Sequence, residues 1–250
     1  MELNSPSRRD GISLSKETQL CSQYSYIRHL GSKLRLPHLA IVKALVFCHR
    51  FYARQSFAKN DWHAVATACV LLAIKVEESP RFLKDVVNEA YRHEIQDYVA
   101  DQMLRSTINL HDMRERDEFF REKGRVTNDQ KKELIIAAEG LVLRTMGFDL
   151  NVQLPYKTLV AALHRLREEK ITGSGHPQFT KVACSLVEDL LRTSLCLRYE
   201  PQFIAVGSVV VAASVLKMKL PANKKWLEGL DVPLKELNEV IQSIQRKFSK

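Results

Sequence analysis

The sequence predicts an all-α protein built as two tandem five-helix bundles. Three observations carry that expectation. Apolar residues recur at helical spacing along most of the 250-residue chain, and alternating strand patterns joined by hairpin signals are missing, although Asp10-Gly11 occurs near the terminus. Nine glycines and eight prolines are few for this length, while 45% apolar content supplies a sizeable core. Finally, "VATACVLLA" (65–73) aligns without gaps to "IAVGSVVVA" (204–212). Both segments set small residues inside a long apolar helix. A helix that is apolar all round belongs at the buried centre of a bundle, so the repeat marks two centres.

The elements follow in order. Residues 1–16 are polar, lack a helical period and are expected to be a flexible N-terminal segment. The first bundle is placed at 17–150. Tyr24, Ile27 and Leu30 share one face of its first helix. Pro37 suits the first turn of the second, where a missing N–H costs nothing, and Ile41, Ala44, Leu45, Cys48 and Tyr52 form the stripe. Asn60 or Asp61 can cap the third helix, which runs into Pro80; the residue before a proline is pushed out of the α region, so Ser79 ends it. A fourth helix spans about 82–93, and a charged connection covers 112–131. Thr127 and Gln130 then form a capping-box pattern for the fifth, which Gly147 closes. Residues 148–155 read as a linker into the second bundle, at 151–250. Its helical patterns lie near 156–169, 178–197, 201–217, 223–230 and 233–248, with the loop 172–175 between the first two.

Charge and composition narrow the function classes. The net charge is +9 and the pI about 9.3, but no basic run exceeds two residues, so the bias reads as a solvated surface. The five cysteines are odd in number and include no Cys-x-x-Cys; they read as small buried hydrophobes in a reducing compartment. The longest apolar stretches, 64–74 and 203–216, fall short of the ~18–20 residues of a membrane span. No phosphate loop, dinucleotide fingerprint, His-Glu-x-x-His or nucleophile elbow occurs, and the eight histidines lack metal-ligand spacing. A non-enzymatic binding protein without cofactor or metal is expected.

Two charged features disturb the helices. The third helix ends "AIKVEESP", placing Glu77 and Glu78 at a helix C-terminus, where the dipole disfavours carboxylates, and Lys75 at the edge of an apolar face. In the repeat Lys75 faces Ser214, so this ending occurs in one half only. In the fifth helix Glu139 interrupts the stripe Ile135, Val142, Met146. A buried carboxylate is costly unless paired. Either Glu139 makes an internal salt bridge or edge contact, or Lys75 and Glu139 lie together at an interface that a partner completes.

The motifs resemble those of a known family. "LLAIKVEESP" is similar to the central helix of a cyclin box, with its Ala-x-Lys-x-Glu-Glu, and "FCHRFY" (47–52) to the second box helix. "EGLVLRTMGFDLNVQLPY" (139–156) resembles the fifth helix and its exit. "SPSRRDGI" (5–12), "LRTSLCLRYEP" (191–201) and "KMKLP" (217–221) resemble transcriptional T-type cyclins, particularly the plant group. The resemblance implies two cyclin boxes and a nuclear regulatory subunit. Such a subunit activates a cyclin-dependent kinase of the elongation-factor b type, which phosphorylates the RNA polymerase II C-terminal repeat. It further implies that the first box holds the kinase's αC helix through Lys75 and Glu139. Phe148 and Leu150 then supply apolar contacts, and Leu71, Val76, Glu77 and Glu78 lie at the same surface. In the free protein Lys75 and Glu139 are both expected near a solvated edge.

One stretch departs from the pattern. Cell-cycle cyclins recruit Arg-x-Leu substrates on an apolar patch of the first box helix. Here Gln19, Gln23 and Tyr26 replace its anchors, so that site is expected to be non-functional. The competing reading is a TFIIB-like two-repeat factor that binds DNA; it calls for a zinc ribbon that is not present, and leaves Lys-Val-Glu-Glu without a purpose. Spread positive charge leaves room for weak RNA association, with no sequence-specific DNA binding expected.

Overall fold

A computed structural model describes residues 5–17, 24–93, 128–168, 177–221 and 225–248. Among the described residues the regular structure is helical throughout, as the sequence predicts, with no strand. The chain divides into two compact units, Met1–Leu150 and Asn151–Lys250.

The first unit contains α1 (Ser25–Lys33), α2 (His38–Tyr52), α3 (Trp62–Val76), α4 (83–93) and α5 (Asn128–Thr145). The centre is α3, which packs against α1, α2 and α5. Every residue from Ala64 to Ile74 is buried, because the helix has no polar face to turn outward. Asp61 caps it, its carboxylate accepting from the Ala64 N–H at 2.7 Å, while Asn60 turns back to the Ser56 carbonyl. The one polar residue inside, Thr67, is satisfied by the Tyr26 hydroxyl at 2.6 Å. Pro37 sits one place outside the first turn of α2, as its N-cap. Thr127, half of the capping box expected for α5, lies outside the described residues, as do most of the charged connection and the loop 172–175.

The second unit contains α6 (Tyr156–Glu168), α7 (Pro177–Leu191), α8 (Pro201–Val215) and α9 (Leu234–Phe248). Its centre is α8, packed against α6, α7 and α9. A Cβ on Gly207 would stand 2.9 Å from Ile244 Cδ1 and 3.2 Å from Val240 Cγ1, so the missing side chain lets α9 close on α8. The helix expected through 178–197 breaks after Leu191. The Thr193 hydroxyl bonds the Leu190 carbonyl at 2.8 Å and accepts from the Leu195 N–H, offering the backbone an alternative to the helix. A single turn, Leu195–Arg198, follows. The pattern near 223–230 is a 3-10 turn, Lys225–Leu227, that buries Trp226; Gly229 and Asp231, both with positive φ, prevent its continuation.

The repeat extends beyond the aligned nine residues. Both central helices have fifteen residues, and Trp62–Val76 maps onto Pro201–Val215 at one constant offset. Both end in the same turn, a Schellman motif. In the first, Ser79 N–H bonds Ile74 O at 3.0 Å and Glu78 N–H bonds Lys75 O at 3.3 Å; in the second, Met218 N–H bonds Ala213 O at 2.8 Å and Lys217 N–H bonds Ser214 O at 3.1 Å. The left-handed position, usually glycine, is Glu78 (φ 47°) in one and Lys217 (φ 54°) in the other.

Two expectations need correction. The N-terminal residues read as featureless carry local structure. Pro6–Arg9 form one helical turn that Ser5 caps, and Ser7 is fully buried, its Oγ accepting from the Phe57 N–H at 3.1 Å. Polar residues dock here through hydrogen bonds, which leave no apolar period to read. Of the cysteines, Cys48 and Cys69 are buried as expected, whereas Cys184 and Cys196 are only half-buried; Cys21 lies outside the described residues. Burial still pushes the Cys184 thiol up, with the nearby Glu188 charge acting in the same direction.

Candidate functional site

The C-terminal end of α3 gathers the charged residues that the sequence singles out. The Lys75 Nζ donates to Glu139 Oε1 of α5 at 2.6 Å. The lysine side chain is 60% exposed, but the glutamate side chain only 9%. Glu139 therefore interrupts the apolar stripe of α5 as a paired, buried carboxylate. The first alternative holds: the residues form an internal ion pair, and its cationic half faces solvent. The solvated edge expected for both residues holds for Lys75 and fails for Glu139, because α5 turns that stripe into the bundle.

Glu77, the C-cap of α3, is ion-paired with Lys43 of α2, and both side chains are largely buried. The unfavourable dipole at Glu77 is thus offset by a lysine from the neighbouring helix. Glu78 occupies the left-handed position and is exposed. For a residue with a Cβ that conformation costs about 1–2 kcal/mol, and strain of this size persists only where surrounding bonds over-determine it. Here the two capping bonds do so, together with Arg81. The Arg81 guanidinium donates to the carbonyls of Leu34 (2.8 Å), Arg35 (2.7 Å) and Pro80 (2.8 Å). It takes up orphan acceptors at the end of α1 and pins the turn after α3 to them.

The exit of α5 is held in a similar way. Gly147 (φ 63°) and Phe148 (φ 60°) are both left-handed, with Gly147 N–H on Arg144 O at 3.1 Å and Phe148 N–H on Leu143 O at 2.9 Å. Phe148 is 68% exposed, an aromatic ring that its own unit does not cover. Arg50, from the last turn of α2, bonds the Asp149 carbonyl at 3.2 Å and lies 3.6 Å from its carboxylate. Leu150 and Val76 are half-buried. Leu71 is 5% exposed and closed inside the bundle, one turn before Lys75; it offers little surface to a partner, contrary to the expectation for it. Further exposed apolar side chains stand on the same elements: Phe82 after α3, and Leu134 and Ile136 on α5.

Sequence reasoning missed Lys43, Arg50 and Arg81. The signal for Lys43 was a lysine within the apolar run of α2; for Arg50, a cation in a last helical turn. Arg81 had none, since the two acceptors that tie it to α1 lie 46 and 47 residues away.

The patch at the first box helix is also resolved in part. Gln19 and Gln23 lie outside the described residues. Tyr26 is 3% exposed, with its hydroxyl on Thr67 and its ring edge-on to Trp62, so it is a core residue and presents no docking surface. Among the described residues no group of three metal-ligating side chains occurs, and no helix is long and apolar enough to cross a membrane.

Comparison with known proteins gives consistent likenesses. The model of the cyclin N-terminal domain matches residues 2–151. The chain is 43% identical to Cyclin-T1-3 of Oryza sativa subsp. japonica over 245 residues, covering 96% of this chain and 45% of that protein. It is 38% identical to Cyclin-T1-3 of Arabidopsis thaliana, covering 98% of this chain and 70% of that one. It spans less than half the length of several other plant relatives named Cyclin-T1. Among solved structures, a chain of the yeast RNA Pol II CTD kinase CTDK-1 complex superposes with a TM-score of 0.69 at 18% identity, over 97% of this chain and 70% of that chain. At that identity the likeness establishes the fold.

Proposed function

Because the chain belongs to the cyclin family, and within it to the plant-like T-type group, we propose that it is the regulatory subunit of a transcriptional cyclin-dependent kinase. The proposed complex is of the elongation-factor b type. It works in the nucleus and phosphorylates the C-terminal repeat of RNA polymerase II. The cyclin contributes no catalytic group.

The observation that carries this reading is the Lys75–Glu139 pair, with a half-exposed ammonium over a buried carboxylate. The elements that carry the pair also end in strained, exposed residues, Glu78 after α3 and Phe148 after α5. This surface fits the kinase's αC helix. Lys75 can hold an acceptor on that helix without leaving Glu139 unpaired, because an ammonium has three donors. Phe148, Ile136 and Phe82 offer exposed apolar area whose burial would favour docking. Holding αC inward lets the kinase's own Lys–Glu pair form and orient ATP. Moving that equilibrium from 1:99 to 99:1 takes about 5.5 kcal/mol of differential binding, within reach of an interface of roughly 800 Å² per partner.

Amide hydrogen exchange with and without the kinase tests the reading. Peptides covering 70–82 and 136–150 should be protected, and peptides of α7 to α9 should not. Protection concentrated beyond residue 177 would place the kinase on the second unit and refute it.

A further inference from the structure

We propose that Ser5 is a phosphorylation site for a proline-directed Ser/Thr kinase, and that the phosphate releases the N-terminal turn from the loop between α2 and α3. The sequence Ser5-Pro6-Ser7-Arg8 sets a proline directly after the hydroxyl and a guanidinium three residues on. Kinases of this class accept the residue without an N–H in an apolar pocket and read the following cation with acidic side chains. The second Ser-Pro pair in the chain, Ser79-Pro80, keeps the proline but lacks the cation and is not accessible. Phe82 stands at the cation position, and Ser79 is buried in the turn that ends α3.

The surroundings of Ser5 determine what the phosphate does. Ser5 Oγ accepts from the Arg8 N–H at 3.3 Å and donates to Glu17 Oε1 at 2.7 Å. Glu17 is 5% exposed, and its other oxygen is buried without a hydrogen-bond partner among the described residues. In the transfer step Ser5 Oγ forms a bond to the γ-phosphorus of a nucleoside triphosphate. The bond from that phosphorus to the bridging oxygen breaks, the nucleoside diphosphate leaves, and the hydroxyl proton passes to the kinase's base. Ser5 thereby loses the donor that satisfied Glu17 and gains a charge of about −1.5 to −2 beside a buried carboxylate. Arg8 is half-exposed, where its attraction to the phosphate is screened by water and salt. Repulsion from Glu17 therefore wins. What is released are the Ser7–Phe57 bond and the Asp10–Lys59 pair at 2.7 Å. A segment this short opens locally at small cost, which admits the kinase, and the phosphate then traps the open form.

The test uses the whole chain, a purified proline-directed kinase and Mg·ATP, read by intact mass, fragment mapping and hydrogen exchange. One phosphate should appear on Ser5 and be lost in Ser5→Ala. Arg8→Ala should slow its incorporation about tenfold, and peptides spanning 5–17 and 53–60 should exchange about tenfold faster once it is present. Phosphorylated Glu17→Gln should keep the protection of the unmodified chain, because the amide can donate to the phosphate. No phosphate on Ser5, or incorporation that ignores Arg8→Ala, overturns the site. A full phosphate that leaves exchange unchanged overturns the release.

Discussion

Replacing Lys75 with alanine removes the exposed half of a 2.6 Å ion pair and leaves the buried half in place. Two limits bound the cost to folding. Exposed pairs contribute about 0.2–1 kcal/mol, whereas breaking a buried pair by removing one partner costs about 3–5 kcal/mol. Glu139 belongs to the second case and Lys75, at 60% exposure, to the first. Water can reach the position of the lost ammonium but must approach a carboxylate only 9% exposed. A loss of about 1–2 kcal/mol follows, or a melting temperature lower by about 2–8 °C at roughly 2–4 °C per kcal/mol for this size. Kinase binding should suffer more. In the complex the partner's acceptor and Glu139 both lose their cation in a desolvated setting, at a cost of about 2–5 kcal/mol, or 30- to several-thousand-fold in affinity. The assay pairs thermal melts with titration of the kinase, for Lys75→Ala, Glu139→Gln and the double variant. The double variant should melt close to wild type, since no unpaired charge remains, yet still bind weakly. Wild-type affinity of Lys75→Ala would refute the interface. A drop in melting temperature well beyond 10 °C with intact affinity would mark the pair as purely structural.

Three further outcomes are expected. Phe148→Gly should raise thermal stability slightly, by relieving a left-handed non-glycine residue, and weaken kinase binding by an amount insensitive to salt; a salt-dependent loss would contradict apolar packing. Ser214→Ala, at the exposed position equivalent to Lys75, should change stability by less than about 0.5 kcal/mol and leave kinase affinity unaltered in the same titration. Tyr26→Phe should cost about 1–2 kcal/mol in chemical denaturation, because it strands the Thr67 hydroxyl in the core, and Thr67→Val in the same chain should recover part of that loss; an additive double variant would show that the hydroxyls do not interact.

The features that could be read from sequence were those written in periodicity. The apolar run of α3 and its counterpart in α8 specify buried helices because no polar face exists to turn outward, and their common offset reappears to the residue in Trp62–Val76 and Pro201–Val215. Periodicity assigns Glu139 to a face but carries no depth, so its burial and its partner across 64 residues were beyond it. The Lys43–Glu77 pair and the Arg81 clamp escaped for the same reason: each joins elements that only the fold brings together. Ser7 was hidden differently, since a residue buried by one hydrogen bond in a polar stretch has no hydrophobic signature. The break at Thr193 turned on two hydroxyl bonds that compete with a helix whose apolar pattern continues past it.

The identical turns that end α3 and α8 bear on stoichiometry. The backbone supplies two equivalent termini, one carrying Lys75 and Glu78 and the other Ser214 and Lys217. Glutamate at one left-handed position and lysine at the other present opposite charges on the same geometry, so a partner matched to the first is repelled by the second. A repeated scaffold equipped at both ends would be bivalent and could link kinases into chains. Under the proposed function, differentiating the side chains while keeping the turn restricts the partner to one end, and the expected ratio is one kinase to one regulatory chain.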